Sequence, residues 1–294
     1  MNKQLSEKLA AYISQASASQ RTLSSKLGVS SATLNLYLKG KYQGDIKLLE
    51  KKIKEFLERE SSRNQVIKIA RAETTILKHI QQSCKFAFDT QDIVLVIGGS
   101  GLGKTFALKD FAEKNEAVLF FDCDFSHSPK NILLDIAKKL KLNTEKRDFA
   151  SLNSLVSKHL SEQDCLLIFD EAELLPYKSL ETIRRLHDKS GVAVVLAGMP
   201  KLRANLRGAK GEFKQLYSRI GLMVEVGEKL TNEDLTKIIL AQGIPESLVN
   251  FLVNHSKGSA RRLSKILKGS FNLAKEGEDI SEQLISNYSS LLME

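Results

Sequence analysis

Two stretches of this chain carry residues of the types and spacing that handle a polyphosphate. In the first, Gly98, Gly103, Lys104 and Thr105 fit the pattern G-x-x-x-x-G-K-[ST], with Gly99, Ser100, Gly101 and Leu102 inside it and Phe106 next. The backbone N–H groups of such a turn, and the helix N-terminus after it, form a nest for phosphate oxygens that bulky side chains would obstruct. Lys104 is placed to reach the β- and γ-phosphates as a point charge, and the Thr105 hydroxyl to ligate a bridging Mg2+. In the second stretch, the apolar run Cys165-Leu166-Leu167-Ile168-Phe169 ends in Asp170 and Glu171. Asp170 is the candidate holder of the Mg2+ water shell, and Glu171 the candidate to polarise the water that attacks the γ-phosphate. Two acids after an apolar strand also occur as a plain strand end or helix cap; the phosphate motif upstream favours the nucleotide reading. The cofactors expected are therefore ATP and Mg2+, and a phosphate loop alone leaves the function open.

The elements that must position these residues alternate. Val94–Ile97 is an apolar β-branched run leading into the glycine-rich turn, and a helix begins near Lys104. Ala117–Asp122 and Val192–Leu196 are further strand-like runs, and Pro129–Leu140 has Ile132, Leu133, Ile136 and Leu140 at helical spacing. Strands alternating with helices predict a parallel sheet with its ligand at the carboxyl ends of the strands. Glu73–Phe86 reads as a helix leading into the first strand, where an adenine could be flanked. The chain from Thr231 to Glu294 is helical in pattern.

Residues 1–60 read as a separate helical module. From Gln20 to Leu38, apolar residues at Leu23, Leu27, Val29, Leu34 and Tyr37 have helix-turn-helix spacing, with Ser24 small at the crossing, Gly28 in the turn and Ser30 as a cap. The second helix would present Ser31, Thr33 and Asn35, with Lys39 and Lys41 beyond it, to a DNA major groove. A helical hairpin used only for packing would show the same spacing. The recognition face carries no arginine, so bidentate guanine readout is missing and phosphate contacts should dominate. Ser61-Ser62-Arg63-Asn64 is polar enough to be a linker.

Composition narrows the partner. The 294 residues are 42% hydrophobic, enough for a sizeable core, and no window approaches 18 uninterrupted apolar residues. The N-terminus has no apolar signal-peptide core, so no membrane partner and a cytoplasmic location are expected. Cys84, Cys123 and Cys165 lack metal-ligand spacing and read as buried reduced thiols. Base is clustered: residues 178–219 hold 10 Lys/Arg against 3 Asp/Glu, and residues 255–275 hold 6 against none. Clustered base at an isoelectric point of about 9.3 suggests a polyanion, although charge runs are also solvated faces.

The order of these motifs resembles the Mu B family of phage transposition proteins, which are AAA+ ATPases. The likeness covers nearly the whole chain. It rests on the helical module ending in Lys41-Tyr42-Gln43-Gly44-Asp45, the loop Gly98–Thr105, Phe169-Asp170-Glu171-Ala172-Glu173, Tyr217-Ser218-Arg219-Ile220 and the helical C-terminus. The resemblance implies an α/β fold: an AAA+ P-loop NTPase core over 61–230 with a parallel sheet flanked by helices. An all-α helix-turn-helix domain over 1–60 would precede it and a small helical lid domain over 231–294 would follow. It implies a catalytic set of Lys104, Glu171 and Arg219, the last as an arginine finger directed at a neighbouring subunit, and Arg261 as a lid arginine at the nucleotide. It also implies ATP-dependent filaments on double-stranded DNA without sequence preference, a DDE-type transposase partner and hydrolysis stimulated by that contact in the cytoplasm of a bacterial host. Met199 departs from the polar residue expected after the fourth strand, which suggests slow hydrolysis or another group in that role. Lys201, Arg203, Arg207, Lys210 and Lys214, in a stretch expected to be a mobile loop flanked by Gly208 and Gly211, are the candidate DNA-facing groups of the filament. Two other functions fit parts of the pattern: a helix-turn-helix regulator with ATP as switch ligand, and a secretion-type AAA+ ATPase.

Overall fold

The computed structural model describes residues 2–15, 20–64, 70–145, 147–208, 217–274 and 280–292. The chain divides into two compact units, Met1–Lys68 and Ile69–Glu294.

The first unit contains α1 (Lys3–Gln15), α2 (Gln20–Leu27), α3 (Ser31–Leu38) and α4 (Ile46–Asn64). Leu9, Leu23, Leu27, Leu34, Tyr37, Leu49, Ile53 and Phe56 form its core, so each helix contributes one apolar face. Gly28 turns the chain between α2 and α3 with φ of 63°, and the Ser30 hydroxyl accepts the Thr33 amide at 3.0 Å. Ser24 and Ser31 touch through their hydroxyls at 2.9 Å, so a small residue at the crossing lets the helices approach. One expectation is corrected. The Ser61–Asn64 stretch is the last turn of α4 rather than a linker, because the helix started by the amphipathic run from Ile46 continues through it. The boundary thus falls near Lys68, not at 60.

The second unit is built on five parallel strands, β1 (Ile93–Ile97), β2 (Val118–Asp122), β3 (Leu166–Asp170), β4 (Ala193–Gly198) and β5 (Ile220–Glu225). Their order is β2-β3-β4-β1-β5. α5 (Thr75–Thr90) precedes β1, and between the strands run α6 (Lys104–Glu113), α7 (Pro129–Lys139), α8 (Phe149–Ser161), a 3-10 turn (Ala172–Leu174), α9 (Tyr177–Ser190) and α10 (Lys201–Arg207). The central strands are buried on both faces, which is why they read as unbroken apolar runs. Val94, Val96, Ile168 and Val195 face α5, α6 and the C-terminal helices, while Ile93, Leu95, Leu167 and Phe169 face α7, α8 and α9. Strand alternation thus divides the core into two halves. Cys84, Cys123 and Cys165 are buried free thiols, and burial pushes Cys84 up to about 12 and Cys165 to about 11. They are poor nucleophiles and ligands for that reason.

The C-terminal helices are α11 (Asn232–Leu240), α12 (Glu246–Ser256), α13 (Ala260–Ala274) and α14 (Glu282–Ser290). Their apolar faces join the core half on the α5 side through Leu235, Ile239, Leu252, Leu263, Ile266 and Ile285. Polar contacts fix the junction with the segment before α5: the buried Asp234 accepts the Thr75 amide at 2.8 Å, and Gln242 accepts from the Ala70 amide at 2.8 Å. No helix among the described residues is long and apolar enough to cross a membrane.

Candidate active site

Parallel strands bring their carboxyl ends to one edge, and the register sets what meets there. Ile97 of β1 lies opposite Gly198 of β4 on one side and Glu225 of β5 on the other, and Asp170 of β3 lies opposite Asp122 of β2. The glycine-rich turn after β1, the acids after β3 and Gly198-Met199 after β4 therefore share one rim, as the strand pattern predicts.

The turn is held from three directions. The Gly98 amide donates to Gly198 O at 3.1 Å, the Gly99 amide to Gly227 O at 2.8 Å, and Gly101 O accepts the Arg261 amide at 3.2 Å. Gly101 has φ of 76°, and a Cβ there would stand 2.6 Å from Ser259 Oγ, so the start of α13 lies directly on the turn. Arg261 adds a bond from Nη1 to Ser100 Oγ at 3.1 Å. Its neighbour Arg262 points the other way and donates to His255 O at 2.9 Å and Ser289 O at 3.0 Å, tying the C-terminal helices together. Of the two adjacent arginines, geometry brings Arg261 to the turn.

Lys104 folds over the turn, with Nζ donating to Gly98 O at 2.8 Å and Gly99 O at 2.7 Å. Burial lowers its pKa; Asp170, Glu173 and Glu171 oppose that shift, and Arg261 adds to it. These five charged groups therefore feel one another. Thr105 is half-buried behind Lys104 and Phe106 is 50% exposed on the outer side of α6.

Asp170 is 1% exposed. Its Oδ1 accepts the Glu171 amide at 3.0 Å, while Oδ2 has no hydrogen-bond partner. A buried carboxylate oxygen left unpaired is costly unless a ligand arrives to meet it. Glu171 stands in the left-handed region at φ of 53°, a conformation that turns it out of the strand onto the rim. Partial burial raises its pKa first, the charges of Asp170, Asp122 and Glu173 raise it further, and Arg261 opposes them.

Sequence reasoning assigned no role to Glu173. Its Oε2 is buried without a partner, and its carboxylate lies against Gly198. The signal was visible as a third acid in Asp170-Glu171-Ala172-Glu173, but nothing in the spacing shows that a 3-10 turn carries it back over the strand ends.

Other expected groups lie elsewhere. Arg219 immediately precedes Ile220, the residue of β5 opposite Ile93, so the length of the strand, about 16 Å, separates it from the glycine-rich turn of its own chain. It pairs with Asp188 at 3.3 Å. Lys201, Arg203 and Arg207 are not in a loop, which is a correction: Pro200 starts α10, and the buried Leu202 and Leu206 make it amphipathic. Arg203 pairs with Glu225 at 2.7 Å, and Arg207 donates to Tyr217 Oη at 2.9 Å while stacking on its ring. Lys201 is exposed, whereas Lys210, Gly211 and Lys214 lie outside the described residues. In the first unit, Ser31, Lys39 and Lys41 are exposed and Thr33 and Asn35 half-buried. Met199 is 43% exposed on the rim.

The sequence and the fold have known relatives. A family described as AAA domain matches residues 87–206. The Mu-like prophage FluMu DNA transposition protein B of Haemophilus influenzae is 30% identical over 246 residues, covering 82% of this chain and 85% of that protein. This chain belongs to the Mu B family of DNA transposition proteins. The ATP-dependent target DNA activator B of Escherichia phage Mu is 29% identical over 197 residues, 66% of this chain and 63% of the phage protein. The Aeropyrum pernix ORC2 protein, solved in ADPNP-ADP complexes, superposes with a TM-score of 0.60 at 17% identity, over 76% of this chain and 70% of that one, which shows a shared AAA+ fold. The protein is an AAA+ ATPase and binds nucleotide through that fold.

Proposed function

We infer that the protein couples ATP binding to assembly on double-stranded DNA without sequence preference, and in that form presents target DNA to a transposase of the DDE type. The observation that supports the coupling is the seating of Arg261 and Ser259 on the glycine-rich turn, a contact that would join the C-terminal helices to a nucleotide held there. Nucleotide bound at the turn and the position of the lid are then linked equilibria.

The site's residues fit ATP with Mg2+. The unpaired Oδ2 of Asp170 and the half-buried Thr105 hydroxyl are hard oxygen donors on the phosphate side, the set that Mg2+ prefers. When bound, Mg2+ would neutralise charge on the β- and γ-phosphates. The amides of Gly98 to Phe106 line the phosphate path, Lys104 exchanges its carbonyl partners for phosphate oxygens, and Arg261 closes the path from the lid. Glu171 takes a proton from the attacking water; burial and the charges of Asp170, Asp122 and Glu173 raise its pKa, which makes it a stronger base than a free carboxylate.

Arg219 stands too far from its own phosphate turn to act there. It is exposed at the opposite end of the sheet, so it completes the site of an adjoining copy when subunits stack in a helical filament. Along such a filament, Lys201, Arg203 and Arg207 face the duplex, with Ser31, Thr33, Asn35, Lys39 and Lys41 as further contacts; Lys210 and Lys214, which lie outside the described residues, join this set on the sequence alone. The Arg203–Glu225 pair is exposed and worth little, so phosphates can displace it. Repetition of weak contacts then supplies affinity. The setting is the cytoplasm of a bacterial host.

Electron microscopy with random-sequence duplex, comparing ATP plus Mg2+ with ADP at two salt concentrations, tests this. Continuous filaments with ATP only, weakened by salt, are expected. A footprint on one short operator, indifferent to nucleotide, would instead make the protein a helix-turn-helix regulator.

A further inference from the structure

The rim after β4 lacks the polar side chain that would hold a water against the γ-phosphate, because Met199 occupies that position. A carboxylate stands beside it. The 3-10 turn Ala172–Leu174 carries Glu173 back over the strand ends until its carboxyl group rests on the Cα of Gly198, with Leu202 Cδ2 on the other side. Asn205 of α10 clamps that turn by donating to Glu173 O at 2.9 Å. Glu173 Oε2 is inaccessible and unpartnered, and the neighbouring Asp170 Oδ2 is too. Both oxygens flank Glu171 in the short segment 170–173, whose first carboxylate accepts the Glu171 amide and whose 3-10 turn carries the last, and both are acceptors that the protein itself does not fill.

We propose that Glu173 is the positioning residue for the hydrolytic water, doing from the 3-10 turn what residue 199 cannot do from the strand. In the step, the water oxygen bonds to the γ-phosphorus as the bond from that phosphorus to the β–γ bridging oxygen breaks. One water proton goes to Glu171, the bond pair leaves on ADP, and inorganic phosphate forms. Glu173 accepts a hydrogen bond from the other O–H and takes no proton. A water held by one acceptor can rotate about that bond; two acceptors fix the lone pair that attacks. Gly198 is part of the device. Its backbone lies outside the left-handed region, so conformation does not require glycine there, but a Cβ would overlap Glu173 Oε2 and push the carboxylate away.

The inference rests on Glu171 as proton acceptor, so Glu171→Gln is measured in parallel. Single-turnover hydrolysis, ATP affinity, thermal unfolding and trapping of ADP by orthovanadate are compared for Glu173→Ala, Gly198→Ala, their double variant and Glu173→Gln. Glu173→Ala and Gly198→Ala should each slow hydrolysis about tenfold to a hundredfold and weaken vanadate trapping similarly, with ATP affinity and unfolding temperature near wild type, while Glu173→Gln, which keeps an acceptor oxygen, should be slowed less. The double variant should be no slower than Glu173→Ala, since both changes remove one interaction. A Glu173→Ala rate within twofold of wild type, while Glu171→Gln is inactive, overturns the role of Glu173 alone. ATP affinity or unfolding temperature falling in step with the rate would make Glu173 merely structural, which also overturns it. Additive losses in the double variant would do the same. A wild-type rate in Glu171→Gln overturns the assignment of Glu171 itself.

Discussion

Substituting Gly101 by alanine tests whether the lid belongs to the nucleotide site. The residue has φ of 76°, where an L side chain costs about 1–2 kcal/mol. The new Cβ would also stand 2.6 Å from Ser259 Oγ and 3.2 Å from Arg261 Cβ. Ser259 cannot simply swing aside, because its hydroxyl accepts the Arg262 amide at 3.2 Å and its own amide donates to Ser256 O at 3.0 Å. The lid must therefore retreat by roughly 1 Å to restore ordinary contact. That retreat breaks the bonds from the Arg261 amide to Gly101 O and from Arg261 Nη1 to Ser100 Oγ, each worth about 1 kcal/mol. The seated lid loses about 2 kcal/mol from these two bonds, so nucleotide affinity should fall about thirtyfold. Titration with a fluorescent ATP analogue measures it, with thermal unfolding as a check on the core. Adding Ser259→Ala removes the closest clash and should recover part of the loss despite costing a helix cap. An affinity within threefold of wild type for Gly101→Ala would refute the reasoning, as would the absence of any recovery in the double variant.

Lys104→Ala should abolish ATP binding and ATP-dependent assembly on DNA together, as read by analogue titration and sedimentation with duplex; assembly that survives would break the proposed linkage. Arg219→Ala should keep nucleotide affinity and stability, since its pair with Asp188 is exposed, yet lose DNA-stimulated hydrolysis. Mixed with Glu171→Gln, which should bind ATP and form persistent filaments, it should regain part of that activity; a mixture as inactive as its components would argue against an arginine acting across subunits. Glu181 offers a pH test. The guanidinium of Arg184, and then Arg185, hold its carboxyl at about 2 against the upward push of burial. A folded-state value below the unfolded one stabilises the protein above about pH 4.3, and that contribution fades as pH falls toward about 2. Glu181→Gln should thus cost on the order of 1–2 kcal/mol at pH 7 and far less at pH 2.5, by denaturant titration; a cost independent of pH would refute it.

The candidate site was legible in the chain because its signals are local. A phosphate nest is made by consecutive amides, so Gly98 to Thr105 could be read from spacing alone. The strands were legible for a related reason: burial on both faces leaves an unbroken apolar run, as in Val94–Ile97 and Leu166–Phe169. The turn between α2 and α3 likewise depends on a glycine and a capping serine within three positions. Local polarity misled at Ser61–Asn64, where a helix already under way continued through residues that alone suggest a linker, and at Lys201–Arg207, where two buried leucines make a helix out of an expected loop.

Tertiary structure decided whatever depends on chain segments far apart in sequence. Strand order places Arg219 a full strand length from its own phosphate turn, a distance that no local pattern contains. Packing of α13 on Gly101 decided that Arg261 meets the turn, 160 residues away in sequence, while Arg262 braces the lid. The adjacency of Glu173 and Gly198 is of the same kind. Each residue type is set by sequence, but only the parallel register of β3 and β4 and the turn between them put an unpaired carboxylate where a Cβ is missing.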